Sequence, residues 1–215
     1  MARETATHRI GHLDRFFQRP MMREAFARLL ANLGLGGPAT QCTIGLTAAT
    51  PGEGVTTLSL YLGAEIVRTF GVPTLVIETN FRRPRLADYT GVDPTPGLLD
   101  VLQAEGLKMD VKIRKSRLAD LFLVPAGGIH PHPLGLLTSE RFLHLLDGAE
   151  ERYSVVIVDT PPVLRYAEAP PVLKTLDRAL LVVEDTCREE AVKQAVHVLE
   201  EHEVTLAGTV LNRKR

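Results

Sequence analysis

Residues 41 to 62, QCTIGLTAATPGEGVTTLSLYL, restrict the fold more than any other part of the chain. The apolar run from Cys42 to Leu46 reads as a strand, Thr47 to Gly54 as a small-residue loop, and an apolar helix begins at Val55. Strand, glycine loop and helix start, in that order, make a cradle for phosphate. The first amides of a helix have no intrahelical partner, and the helix dipole favours an anion there. Gly52 and Gly54 let the backbone take positive φ and approach a ligand closely.

Against the phosphate-loop pattern G-x-x-x-x-G-K-[ST], two positions differ: Ala49 replaces the first glycine and Val55 the lysine. Thr56 supplies the hydroxyl that such a loop offers to magnesium. The missing lysine has a definable cost. One unit charge pair at about 4 Å and an effective dielectric near 20 is worth on the order of 4 kcal/mol gross. Losing such a donor from a transition state slows a reaction by roughly two to three orders of magnitude. Valine offers nothing in its place, so binding through backbone amides and Thr56 is easier to keep than fast phosphoryl transfer. Arg82 or Arg83 is the candidate substitute cation, a choice that geometry decides.

The rest of the chain continues the alternation of strand and helix. Helical spacing of apolar residues predicts a helix from Met21 to Leu33, ended by Gly34 to Pro38. Continuous apolar runs at Thr74 to Glu78, Leu121 to Val124, Ser154 to Asp159, Ala179 to Val183 and Leu206 to Leu211 read as buried strands. Helices are expected to about Phe70, over Thr138 to Leu146 with Thr138 or Ser139 as cap, near Ala167 to Leu176, and over Arg188 to His202. Residues 91 to 118 read as an excursion with a turn and a short helix. Its basic residues, Lys108, Lys112, Arg114, Lys115 and Arg117, read as a solvated face. This pattern predicts an α/β fold of three layers, a mostly parallel sheet with helices on both faces.

With 215 residues and 45% hydrophobic content, one sizeable core is within reach, so residues 21–215 are expected to form a single domain. Residues 1–20, carrying Arg3, Arg9, Arg15 and Arg19, read as a mobile arm with Phe16 and Phe17 as a docking point. A net charge of −1 excludes a bulk field for nucleic acid or an acidic membrane, and Arg213 to Arg215 read as a solvated basic tip. Two cysteines, Cys42 and Cys187, suggest a reducing compartment. With no apolar run of membrane-span length and no signal peptide, the expected location is cytoplasmic.

Ligands of such sheets sit at the carboxyl ends of the strands. Three strand ends carry polar groups: Pro51 to Thr57, Glu78 to Arg83, and Asp159 to Pro162. Most glycine turns bind nothing, and a strand-terminal Asp often only caps the next turn. All three in one chain, in this order, point to a nucleotide site, with Asp159 as the carboxylate that orients magnesium through water. No metal site of histidines is expected. His130 and His132 flank a proline, His8 and His12 sit in the arm, and His144, His197 and His202 fall on helices, with no ligand spacing. No G-x-S-x-G elbow supports a serine hydrolase. Tyr61, Tyr89, Tyr153 and Tyr166 are scattered.

These motifs together resemble the cytoplasmic domain of the bacterial tyrosine kinases of capsule and exopolysaccharide synthesis, relatives of the MinD/ParA P-loop ATPases. EAFARLLANL is similar to the family's EAFRxLRTNL helix, TAATPGEGVTT to its Walker A segment TSxxPGEGKST, and VIETNFRRPRL to its second acidic motif LIDxDLRRPxL. PGLLDVL resembles GLSDVL, and LVPAGGIHPHPLGLLTSERF resembles VLPAGxxPPNPxELLxSxxF. VVIVDTPPVL resembles the Walker B segment VIIDTPPVL, and GTVLN the final strand. The resemblance runs from Met21 to Asn212 and implies a P-loop NTPase-like fold.

In that family the Walker A lysine and hydroxyl hold phosphates and magnesium. Two aspartates of the second motif bind magnesium and activate the attacking tyrosine, and the Walker B aspartate completes the metal site. Carried over by position, these are Val55, Thr56, Glu78, Asn80 and Asp159, three of them altered. The resemblance therefore implies Glu78 and Asp159 as catalytic residues and Thr56 and Asp159 as metal ligands. It implies a nucleotide site of Pro51, Gly52, Glu53, Gly54, Val55, Thr56, Thr57 and Arg82, with ATP or ADP and Mg2+ as cofactors. Asn80 is neutral and cannot act as a base at pH 7. Thr50 stands where MinD-type proteins have a second lysine. No tyrosine follows Tyr166, whereas family kinases modify a tyrosine-rich tail. The ring-forming pattern E-x-x-R-x-x-R has become Glu24, Ala27 and Leu30, with Arg28 displaced.

The leading expectation is thus a degenerate family member, a nucleotide-binding regulator of exopolysaccharide or capsule production. Its expected partner is a membrane-anchored co-polymerase (chain-length) protein that recruits it to the inner face of the membrane. Self-association into a homo-oligomer stays open, and no nucleic-acid partner is expected. An active ATPase or tyrosine kinase using Glu78, Asp159 and an arginine is the alternative. A third reading is a purely structural module in which Val55 fills the phosphate space. A MinD-like partitioning ATPase ranks below these, with both lysines missing.

Overall fold

The structure is a computed structural model and describes residues 20–35, 41–104, 112–116, 118 and 120–212, with side chains from residue 23. The N-terminal arm with Phe16 and Phe17, the basic residues Lys108 and Arg117, and the tip Arg213 to Arg215 lie outside the described residues. Seven strands form one sheet: β1 (Cys42–Ala48), β2 (Thr74–Glu78), β3 (Arg114–Lys115), β4 (Leu121–Val124), β5 (Val155–Asp159), β6 (Arg178–Glu184) and β7 (Leu206–Asn212). Their spatial order is β3-β4-β2-β5-β1-β6-β7. Every pairing is parallel except the short edge pair of β3 with β4.

Every residue of β1, β2 and β5 is buried, which is why these strands read as unbroken apolar runs rather than alternating ones. Successive side chains feed two separate cores. Val155 and Ile157 face one core with Ile44, Leu46 and Val76, whereas Val156 and Val158 face the other with Leu75, Ile77 and Leu181. The first core is closed by helices α1 (Pro20–Asn32) and α2 (Val55–Phe70), through Phe26, Leu30, Leu62 and Ile66. The second is closed by α4 (Leu98–Gln103), α6 (Glu140–Glu150), α7 (Ala169–Lys174) and α8 (Glu189–Glu201), through Leu98, Phe142, Leu173 and Leu199. Two one-turn helices, α3 (Leu86–Thr90) and α5 (Leu134–Leu137), complete the set. The three-layer α/β expectation therefore matches the structure.

The deviations from the expected elements are short and local. Strands β1 and β6 extend to Ala48 and Glu184, and Ser139 rather than Thr138 caps α6, accepting a hydrogen bond from the Phe142 amide. Helix α3 and strand β3 are too short to show a period. Arg114, read as part of a solvated face, is instead buried. Its guanidinium donates to the carbonyls of Asp93, Lys112, Thr95 and Pro96 and so gathers the excursion against the sheet edge.

Candidate functional site

The chain turns from β1 into α2 through residues 49–54, and α2 starts behind Gly54 at φ 93°. Gly52, at φ 99°, is the second left-handed position. A β-carbon on Gly54 would lie 2.4 Å from Nδ2 of Asn212, at the end of β7. Only glycine satisfies both the backbone angle and that approach. The Asn212 amide donates to the Glu53 carbonyl at 2.8 Å, fastening the loop to the last strand.

Glu53 itself faces inward. Its carboxylate is 2% exposed and accepts from the Thr50 amide and hydroxyl, both at 2.7 Å, and from the Glu184 amide at 3.0 Å. The residue expected to bind nucleotide thus holds the loop's shape with its side chain. A carboxylate satisfied by three hydrogen bonds is well suited to such burial. The Cys187 thiol also lies against it, at 3.6 Å, and burial raises that thiol's pKa. Both cysteines are free, and burial pushes Cys42 up to about 11.

In front of the loop lies a cavity of about 360 Å³, lined by Pro51, Gly52, Gly54, Val55, Thr56 and Thr57 on one side. Its other walls are Asn80, Arg83, Arg85 and Tyr89 from the segment after β2, and Thr160, Pro162 and Tyr166 from the segment after β5. The parallel register assembles these walls. Leu46 and Glu78 both stand level with Asp159 on the central strand β5. The strand ends are also stitched together. The Thr79 amide and hydroxyl donate to the Asp159 carbonyl, and the Thr160 amide and hydroxyl donate to the Leu46 carbonyl. The Val55 side chain packs against the core beneath α2 and also lines this cavity.

Arg82 does not line the cavity. Its guanidinium bonds the buried Glu168 at 2.8 Å, donates to the Pro131 carbonyl, and lies 5.1 Å from the centre of the Tyr166 ring. Arg83 and Arg85 take the position facing the loop. The sequence signal for the difference was thin, because three arginines in four residues cannot be told apart without the turn that orients them.

The two acids are abreast but differently served. Glu78 accepts three backbone hydrogen bonds: from Arg85 at 2.5 Å and Leu86 at 2.8 Å on one oxygen, and from Ala126 at 3.1 Å on the other. Burial raises its pKa, and the three amides oppose that rise. Its carboxylate is committed to joining the turn after β2 to the end of β4, not to a pocket ligand. Asp159 is fully buried, and neither of its oxygens has a hydrogen-bond partner. Burial, followed by the adjacent Glu78 charge, holds its pKa well above the usual carboxylate range. The Thr56 hydroxyl lies close enough to favour the charged form slightly, without completing a hydrogen bond.

An orphaned carboxylate beside the first-turn hydroxyl fits magnesium that arrives with a phosphate ligand. Thr56 would hold the ion and Asp159 would act behind it through water. Magnesium bound so would neutralise phosphate charge. No group of three His, Cys, Asp or Glu side chains that could hold an ion unaided occurs among the described residues.

No family profile matches the sequence. Individual relatives do. Tyrosine-protein kinase YwqD of Bacillus subtilis is 31% identical over 172 residues, covering 79% of this chain and 71% of the relative. Tyrosine-protein kinase wzc of Salmonella typhimurium is 29% identical over 78% of this chain, which spans only 23% of that relative's length. The structure superposes on the kinase domain of Escherichia coli tyrosine kinase ETK with a TM-score of 0.80 at 28% identity, covering 90% of this chain and 77% of that one. No helix among the described residues is long and apolar enough to cross a membrane. The extent of the match to YwqD, with the fold shared with the ETK kinase domain, shows that the chain belongs to the bacterial tyrosine-protein kinase family.

Proposed function

We propose that this chain is a nucleotide-binding regulator within the bacterial tyrosine-kinase family, serving exopolysaccharide or capsule production, in which phosphoryl transfer is slow or absent. One observation carries the reading: a rigidly held phosphate loop in front of an open cavity of about 360 Å³, with Val55 where a lysine would be. The cavity is within the size range of small-molecule sites. Amides at the start of α2, the hydroxyls of Thr56 and Thr57, and an arginine wall suit a polyphosphate. Turnover asks for more. The acid at position 78 is spent on backbone amides, and position 80 carries an amide that accepts from the Arg83 N–H at 3.1 Å. The pathway, and docking on a membrane-anchored co-polymerase at the inner face of the membrane, rest on the family resemblance.

Titration calorimetry with ADP and ATP, each with and without magnesium, tests the reading. One nucleotide per chain and no phosphate release are expected. No heat at about 1 mM nucleotide, a concentration matched to weak binding, would overturn it. A slow ATPase or tyrosine kinase is the second reading, favoured by the orphaned Asp159 carboxylate beside Thr56. Magnesium-dependent turnover that Asp159→Ala abolishes would decide for it.

A further inference from the structure

We infer that Arg83 supplies the phosphate-binding cation that Val55 leaves out, reaching the loop from the opposite wall of the cavity. The inference rests on the nucleotide-binding reading above and identifies the group that makes it work. Three arginines follow β2, and the geometry separates them. Arg82 is consumed by Glu168, Pro131 and Tyr166 and does not line the cavity. Arg85 lines it, but its guanidinium is paired with Asp88 at 3.1 Å. Arg83 lines the cavity, is exposed, and its guanidinium makes no ion pair or hydrogen bond with any described residue. It lines the same cavity as Gly54, Val55, Thr56 and Thr57 at the start of α2.

The change at position 80 belongs to the same device. The Asn80 side-chain oxygen accepts the Arg83 amide at 3.1 Å and so sets the turn from which Arg83 projects. An aspartate could accept the same bond, but its charge would sit beside the guanidinium and cancel part of its field at the cavity. With no lysine on α2, a neutral residue at 80 leaves the arginine's charge available to the ligand. The two departures from the family pattern, at 55 and at 80, therefore compensate each other electrostatically. Arginine also suits the task chemically, because its planar fork binds phosphate oxygens in pairs.

Calorimetric titration of the full chain with ADP, in EDTA and again with magnesium, tests this with four variants. Arg83→Ala is expected to weaken ADP at least about tenfold in EDTA, the loss of one charge-assisted contact. Val55→Lys in the Arg83→Ala background is expected to recover most of that loss. Asn80→Asp is expected to weaken ADP several-fold in EDTA. Lys193→Ala, on α8 and paired with Glu189, controls for a general loss of positive charge and should stay within about twofold. Circular dichroism melts confirm folding, since Arg83 is exposed. If ADP binds the parent chain and Arg83→Ala binds within twofold of it, the inference is overturned while the nucleotide-binding reading survives. If the parent chain binds neither ADP nor ATP, that reading fails and the inference falls with it.

Discussion

Asp159 is the residue whose environment is most at odds with its chemistry. A carboxyl with no exposure and no hydrogen-bond partner resists ionisation, and the neighbouring Glu78 charge adds to that resistance. Its folded pKa stands well above the ordinary 3.8, so between those two values the native state keeps a proton that the unfolded chain has lost. Stability must then fall as pH rises through that window. Asp159→Asn removes the titration. Urea denaturation from about pH 4 to 8 should show a flatter pH dependence for the variant and, at the alkaline end, a variant more stable than the parent. An unchanged slope would mean the carboxylate is solvated in solution. Glu78 has the same burial but three amides to answer it, which is why it reads as structural cement rather than as a base.

At the scale of the element, hydrogen bonds from its own side chains and from the neighbouring strands hold the phosphate loop in shape. Glu53 ties Thr50 to Glu184 at the end of β6, and Asn212 ties the Glu53 carbonyl to β7, so the loop is anchored to the two strands on one side of β1. Gly54 is the point where this anchoring and the left-handed backbone meet. Gly54→Ala should cost about 1–3 kcal/mol in chemical denaturation, since it adds strain at positive φ and drives a methyl into the Asn212 amide. It should also lower affinity for ADP by displacing the amides of the cradle. A variant as stable as the parent would show that the loop rearranges freely.

For the whole molecule, one sheet separates two cores, and neither can be lost alone because β2, β4, β5 and β6 each contribute alternate side chains to both. Leu62 on one face and Phe142 on the other are fully buried. Leu62→Ala should cost about 2–5 kcal/mol and Phe142→Ala about 3–5 kcal/mol. The chain has no tryptophan, so tyrosine emission is a clean probe, with Tyr61 against the first core and Tyr153 within the second. In both variants the tyrosine and circular dichroism transitions should coincide in urea. Separate transitions would mean that the two layers unfold independently.

The sequence by itself determined the strands, the long helices and the parallel order of the chain. These follow from local signals: unbroken apolar runs for β1, β2 and β5, a 3.6-residue period for α1 and α2, and glycines where the backbone turns left-handed. It also placed Pro51 to Thr57, Glu78 and Asp159 at strand ends, because chain order in a parallel sheet dictates which ends share one edge. The tertiary structure alone decided what those side chains do. Glu53 and Glu78 were legible as acids at a site, but only packing shows their oxygens turned onto backbone amides. Arg82, Arg83 and Arg85 have identical chemistry, and the turn after β2 sends one to Glu168, one to Asp88 and one toward the cavity. Local pattern fixes where a residue sits along the chain, whereas the direction and partner of its side chain depend on contacts made by segments more than 80 residues away, as between Arg82 and Glu168.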